Sequence, residues 1–379
     1  MKIAFDAKRA AQNRTGLGNY SRFVLEGLTA RFPENEYLLY TPSREKARLL
    51  GSLEKKPCCS LHFPENGIWK SLPSWWRVYG MKQPLRQDKP QIYHGLSNEL
   101  PVGIERVEGL KTVVTLHDLI FLRYPNFYPL IDRKIYAHKF RSACRRADRV
   151  VAVSECTKRD LISFFGTPEE KISVLYQGCD EQFRLPATSA LKQEARLKYD
   201  LPDRYLLYVG SIESRKNLEC AVEALAGMRN PMPLVAVGKH TPYADEVWRA
   251  ARKLGVADRV RMLHNAEFRH FPALYQMAEA FLYPSYFEGF GIPLLEALCC
   301  RTPVLAATGS CLEEAGGPHS IYIHPDRPRE WAQAIDQVLE CAPLRKEMVQ
   351  QGMDYAERFR PERLAGEMMD LYREVLSGK

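Results

Sequence analysis

The chain has no run of about 18 consecutive apolar residues, the length a helix needs to cross a bilayer, so no transmembrane segment is expected. Its start runs from Met1-Lys2 straight into a strand-like stretch, without the basic-then-apolar pattern of a secretory leader, so none is expected. The ten cysteines include Cys58–Cys59 and Cys299–Cys300, but no C-x-x-C pair and no zinc-module spacing. Most lie in apolar runs and read as reduced core thiols of a cytoplasmic protein. No short-period repeat, no low-complexity tract and no complete G-x-G-x-x-G dinucleotide fingerprint is present. Nor does one charge dominate. The 54 Lys and Arg against 46 Asp and Glu leave +8, a mild basic bias that favours anionic small partners or an anionic membrane face over nucleic acid.

What is there is ordinary globular composition, 45% hydrophobic and 26% charged, in 379 residues, enough for two domains with separate cores. Short apolar runs alternate with helical patterns, as in a parallel α/β sheet. Strands are expected at Lys2 to Asp6, Tyr37 to Thr41, Ser60 to Phe63, Ile92 to Gly95, Thr112 to Leu116, Arg149 to Val153 and Ile172 to Tyr176. Residues 177–192 read as a linker. A second set follows at Tyr205 to Gly210, Leu234 to Val237, Val260 to Leu263, Ala280 to Tyr283, Val304 to Ala306 and Ile321 to Ile323, before three closing helices. The fold class is α/β, with two doubly wound Rossmann-like domains.

The most informative stretch is 281–317, FLYPSYFEGFGIPLLEALCCRTPVLAATGSCLEEAGG. A strand closed by Pro284 leads into the glycine loop Gly289-Phe290-Gly291 and then a helix from about Ile292, with Pro293 in its first turn. The helix is apolar almost all round except for Glu296, so it is buried and its carboxylate needs a partner. Glu288 stands just before the helix, where the dipole favours an anion and the glycines let a ligand approach backbone N–H groups. Two carboxylates at a helix mouth can accept bonds from sugar or ribose hydroxyls. Alternatively, Glu288 caps the helix and Glu296 pairs with a core Arg.

Other candidates lie where ligands bind in such sheets, beyond strand ends. Gly210 ends one strand, and Arg215-Lys216 follow at the start of a helix, where two cations oppose the dipole unless an anion joins them. His117-Asp118 stand at the end of Thr112 to Leu116; His117 alone reads equally as a loop-bonded structural histidine. Gly16 and Gly18 sit between the first strand and a helix expected from Asn19, as a ligand loop or simply a turn. Residues 67–86, GIWKSLPSWWRVYGMKQPLR, interleave Trp69, Trp75 and Trp76 with Lys70, Arg77, Lys82 and Arg86, a composition suited to a membrane interface or to a core under a loop.

The pair Glu288 and Glu296, seven residues between them, embedded in EGFGIPLLEALCCRTPVLA, resembles the signature of the large family of retaining nucleotide-sugar glycosyltransferases with the GT-B fold. The HDL-x-F run at His117 resembles mannosyltransferase members. The resemblance implies an acceptor-binding domain over 1–186, a nucleotide-sugar-binding domain over 187–360, a helix at 361–379 crossing back onto the first domain, and a cleft between the two domains. It further implies that Arg215 and Lys216 clamp the pyrophosphate and Glu296 holds the ribose. Glu288 and His117 would reach the donor sugar, and Gly289, Phe290, Gly291 and Gly210 would line the donor site. Gly16, Gly18 and Asp118 would face the acceptor. The expected reaction moves a hexosyl group, mannosyl before others, to a sugar hydroxyl of a glycan or lipid-linked acceptor at the inner face of the membrane. No D-x-D sequence occurs, so no metal and no cofactor is expected beyond the donor itself. The rival readings are a glycoside phosphorylase or sugar-nucleotide epimerase on the same fold, or a non-catalytic sugar- or polyanion-binding protein.

Overall fold

The computed structural model describes residues 1–65 and 67–378, in two compact units. Lys379, the last residue of the expected C-terminal segment, lies outside the described residues.

The first unit comprises Met1–Gly178 and the chain from Phe359 onward. Its sheet has seven strands: β1 (Lys2–Asp6), β2 (Glu36–Tyr40), β3 (Cys59–His62), β4 (Ile92–Gly95), β5 (Lys111–Leu116), β6 (Arg149–Ala152) and β7 (Ile172–Val174). All pairings are parallel, in the order β3-β2-β1-β4-β5-β6-β7. Ile3 stands opposite Tyr37 on one side and Ile92 on the other. Such strands are covered on both faces, which is why they read as unbroken apolar runs. Ile3, Ala4, Phe5, Val113 and Val114 are fully buried. The C-terminal helix Pro361–Ser377 packs on helix Gly16–Arg31, and its Tyr372 hydroxyl meets His94 Nδ1 at 2.7 Å. His94 Nε2 meets Thr115 Oγ1 at 2.8 Å, and the Tyr20 hydroxyl reaches the same oxygen at 3.0 Å. Burial holds the His94 imidazole down at about 3, so it stays neutral inside this network.

The second unit, Cys179–Arg358, carries β8 (Leu206–Val209), β9 (Leu234–Val237), β10 (Val260–Leu263), β11 (Ala280–Tyr283), β12 (Val304–Ala307) and β13 (Ile321–Ile323). They are parallel in the order β10-β9-β8-β11-β12-β13. In each sheet the direction of winding reverses once: between β1 and β4 in the first, between β8 and β11 in the second. At such a reversal the loops leaving the two strands diverge and open a crevice beyond the carboxyl ends.

Three local expectations change. Gly16 and Gly18 are not in a loop; the helix begins at Gly16, preceded by a short helix Lys8–Gln12, and Thr15 rather than Asn19 stands at its N-cap. Residues 177–192 are not an open linker, because Phe183 is fully buried against Phe268 and Tyr275, and a helix starts at Ser189. That packing places 179–186 in the second unit rather than the first. The segment 67–86 divides as well. Trp76 is core, packed near Tyr40, and Trp69 packs partly buried against the same cluster, while Trp75 is 59% exposed and stacked on Tyr79.

Candidate active site

At the reversal between β8 and β11 the sequence's charged residues converge. β11 is followed by Pro284, which cannot extend a ladder, and the chain turns so that the amide of Tyr286 donates to Arg215 O at 2.9 Å. Glu288 then meets four donors through one oxygen. Arg215 Nη1 lies 3.0 Å from Oε1 and Lys216 Nζ 3.2 Å; the Ser285 hydroxyl donates at 2.8 Å and that of Tyr283 at 3.1 Å. Burial alone pushes the Glu288 carboxyl up, but Lys216 and Arg215 outweigh it and, with the Ser285 hydroxyl, hold it at about 2. It is an anion across the physiological range.

Lys216 also donates to the Tyr283 hydroxyl at 2.7 Å and lies over that ring, 5.2 Å from its centroid. Gly210 makes room for it, since a Cβ there would stand 3.2 Å from Lys216 Cδ. Arg215 and Lys216 belong to the short turn Ser214–Lys216, just ahead of helix Leu218–Gly227.

The loop Gly289-Phe290-Gly291 is held from outside. Cys311 Sγ approaches Glu288 O at 2.9 Å and Phe290 O at 3.1 Å, and the Phe290 ring is buried. Gly291 has φ +116°, and a Cβ on it would meet Leu312 Cδ2 at 2.8 Å, so only glycine fits. Gly291 is the N-cap residue of helix Ile292–Cys299, with no side chain capping it, so Glu288 is not a cap.

Glu296, on that helix, is half-buried, and Oε2 accepts from the Tyr275 hydroxyl at 2.8 Å. No Lys or Arg is paired with it among the described residues, so the core-Arg alternative fails. Burial raises its carboxyl to about 7, with the Tyr275 bond opposing the rise. One carboxylate fixed in the charged form and another poised at neutrality is the kind of separation that functional sites build.

The first-unit candidates are placed differently. His117 is buried; its Nε2 donates to Leu96 O at 2.9 Å, its backbone N–H donates to Asn98 Oδ1 at 2.8 Å, and its ring meets Tyr20 edge-on at 4.7 Å. Burial holds its imidazole down at about 4, so it is neutral at pH 7. Asp118 Oδ1 accepts from Ile120 N at 3.1 Å. A Cβ on Gly18 would fall 1.9 Å from Asn13 O, so backbone crowding requires that glycine, whereas Gly16 has open space around it. Ser285, Tyr283 and Tyr275, which hold the two glutamates, carried no signal that reading the sequence could use.

With this geometry in place, comparison with known proteins is decisive. Residues 191–354 match the model of "Glycosyl transferases group 1" and residues 16–183 that of "Glycosyltransferase Family 4". The chain belongs to the group 1 glycosyltransferases of the GT-B fold. It is similar to an O-antigen chain mannosyltransferase B of Escherichia coli, 26% identical over 98% of this chain and 100% of that one. It also resembles the O-antigen chain mannosyltransferase RfbU of Salmonella typhimurium, 26% identical over 59% of this chain and 60% of the other. Among solved structures, a sucrose-phosphate synthase from Thermosynechococcus elongatus superposes with TM-score 0.79 at 20% identity over the whole of both chains. The Anabaena HepE protein, in complex with UDP and glucose, superposes with TM-score 0.77 at 18% identity, covering 99% of this chain and 100% of that one. This glycosyltransferase thus has two Rossmann-like domains, and no described helix is long and apolar enough to cross a membrane.

Proposed function

We propose that this glycosyltransferase moves a hexosyl group, mannosyl before others, from a nucleotide diphosphate sugar to a sugar hydroxyl of a glycan or lipid-linked acceptor, with retention at the anomeric carbon. The observation that carries the reading is the cluster of Arg215, Lys216 and Glu288 at the reversal of the second sheet. Arg215 and Lys216 are placed to neutralise charge that develops on a leaving diphosphate, as preorganised donors do without reorganising during the reaction. An ammonium has three donors, and Lys216 spends two of them on Tyr283 and Glu288. Glu288, permanently charged, accepts from sugar hydroxyls. Glu296 accepts from ribose hydroxyls, and the amides of Gly289, Phe290 and Gly291 face the donor. The acceptor binds the first unit, toward Gly16, Gly18 and Asp118.

No metal takes part in this scheme; the two cations supply the positive charge. The mannosyl preference rests on the two O-antigen mannosyltransferase relatives, and the donor class on the UDP-bound HepE structure.

Membrane contact is part of the proposal, with its residues revised. Trp76 is core and Arg77 is spent on Asp6 and Glu99, so the surface offered is Ile68, Leu72, Trp75 and Tyr79 with Lys70 and Lys82 nearby in sequence. Exposed apolar side chains among cations suit the headgroup region of an anionic leaflet.

A thermal-shift panel of nucleotide sugars tests the donor reading. A ligand at 100 times its dissociation constant stabilises by about 2.7 kcal/mol. Stabilisation by at least one of the UDP-, GDP- and ADP-sugars is expected, and loss of that shift in Lys216→Ala. No shift with any member contradicts the reading. Turnover only with free phosphate points to the phosphorylase alternative.

A further inference from the structure

At the open edge of the first sheet a serine, a histidine and an aspartate stand in line, none of them part of the cluster around Glu288. β3 is the outermost strand, paired with β2 on one side. Side chains two residues apart on a strand share a face, so Ser60 and His62 stand together. Ser60 Oγ meets His62 Nε2 at 2.9 Å, and His62 Nδ1 meets Asp88 Oδ2 at 3.2 Å. Asp88 is the last residue of helix Lys82–Asp88.

Tyr40 steadies this line. It stands opposite His62 in the β2–β3 register, and its ring lies against the imidazole, centroids 4.8 Å apart and planes at 36°. Its hydroxyl donates to Asp88 Oδ2 at 2.5 Å. Burial, and then Asp88, push the Tyr40 phenol well above its ordinary range, so it stays a donor.

The order of the groups sets the protons. An ionised carboxylate only accepts, so Nδ1 carries the ring proton toward Asp88, and Nε2 keeps a lone pair for the Ser60 hydroxyl. A hydroxyl within reach of a base, with a third group orienting that base, is the arrangement of an activated nucleophile. Exposure matches the roles: Ser60 is exposed, whereas the side chains of His62 and Asp88 are 27% and 29% exposed.

The backbone adds an oxyanion donor. Tyr37 N donates to Cys58 O and Thr41 N to His62 O, so the peptide groups of Ser60 and its alternate neighbours face β2. The N–H of Leu61 therefore points to the open edge. The amide that follows a nucleophilic serine is one of the donors that receive an oxyanion in acyl transfer. A single amide stabilises an oxyanion less than a pair does, which selects substrates with a good leaving group, thioesters and aryl esters, over amides. An exposed serine on an edge strand suits a short acyl group rather than a long chain that needs a pocket.

We propose that Ser60, with His62 as its base and Asp88 as the positioning residue behind that base, is a nucleophile that accepts short acyl groups from thioesters and aryl esters. Ser60 Oγ forms a bond to the acyl carbon, and the bond from that carbon to the leaving sulfur or oxygen breaks. The serine proton passes to His62 Nε2 and from there to the departing thiolate or phenolate. The product is an O-acyl serine, and no oxidant or reductant is needed. The proposal is independent of the glycosyl-transfer reading.

The test incubates the intact chain with p-nitrophenyl acetate, with no nucleotide present, and locates acetyl groups by tandem mass spectrometry against time. Cys58 and Cys59, free thiols beside Ser60, are internal controls for access to the strand. Acetylation of Ser60 is expected, slowed about 100-fold in His62→Gln, as loss of a general base does. Asp88→Asn is expected to slow Ser60 about tenfold while labelling of the two cysteines and the Tm stay unchanged, and Asp88→Glu to recover part of the rate. Ser60→Ala is expected to leave glycosyl transfer unaltered. The proposal is overturned if acetyl groups appear on cysteines or lysines and none on Ser60. It is equally overturned if Ser60 reacts as fast in His62→Gln as in wild type, or if Asp88→Asn slows Ser60 and the cysteines alike.

Discussion

Glu296→Gln is the most informative single substitution, because the structure predicts an effect whose size changes with pH. In the reading above the Glu296 carboxylate accepts from ribose hydroxyls. Gln keeps an acceptor oxygen but removes the charge. A hydrogen bond to a charged group contributes roughly 1.5–3 kcal/mol, so the variant should bind a nucleotide sugar roughly 10- to 150-fold more weakly at pH 8. The wild-type carboxyl is raised to about 7 by burial. Below that pH it must first lose a proton to accept two hydroxyls, which weakens binding by roughly tenfold per pH unit. The gap between the proteins should therefore narrow about tenfold on going from pH 8 to pH 6. Stability carries the opposite sign. A carboxyl whose folded-state value lies above its unfolded one stabilises the fold most at acid pH, and that contribution is lost as pH rises from the ordinary carboxylate range through about 7. Without ligand, Glu296→Gln should consequently melt no lower than wild type at pH 8. Isothermal titration with an intact nucleotide sugar, whose diphosphate keeps its charge between pH 6 and 8, reads the binding arm. Equal affinities at pH 8, or an equal gap at both pH values, would refute the ribose assignment.

Three further outcomes follow from the same geometry. Arg215→Ala and Lys216→Ala should each lower kcat by about 100-fold or more if they act on charge that develops in the transition state, and wild-type activity should survive EDTA; a strict divalent-ion requirement would contradict this. Gly291→Ala should destabilise the fold by about 1–3 kcal/mol, seen as a lower Tm, because φ is +116° and the new methyl meets Leu312; an unchanged Tm would show that the loop adapts. Replacing Ile68, Leu72 and Trp75 by serine should reduce flotation with anionic vesicles at low salt without altering donor affinity, whereas wild type failing to float would remove the membrane proposal.

Much of the architecture was legible because buried parallel strands write themselves as short apolar runs. LLYV at 206–209 and AFLY at 280–283 are each buried at every residue, and both were located within a residue or two. Glu288, Arg215 and Lys216 were legible because each stands beyond a strand end or at a helix start, positions that sequence order reveals. What surrounds them was not. Tyr283 reads as a strand residue, and nothing in its spacing says that its hydroxyl joins Lys216 to Glu288. Tyr275 meets Glu296 from 21 residues away through tertiary packing alone. The segment 67–86 misled for a related reason: composition cannot tell Trp75, exposed, from Trp76, one residue on and buried in the core. That Arg77 of the same segment is tied to Asp6 and Glu99 was not legible, because an ion pair spanning 71 residues has no local pattern.

The central claim is that this chain transfers a hexosyl group from a nucleotide diphosphate sugar with its anomeric configuration kept. The direct measurement is proton NMR of a reaction containing an α-linked nucleotide sugar and a sugar acceptor, following release of the nucleoside diphosphate and the anomeric signal of the new glycoside. The account predicts an α-linked product formed in step with the nucleoside diphosphate, and loss of both in Lys216→Ala. A β-linked product, or glycoside formed from a sugar phosphate with no nucleotide consumed, would contradict it.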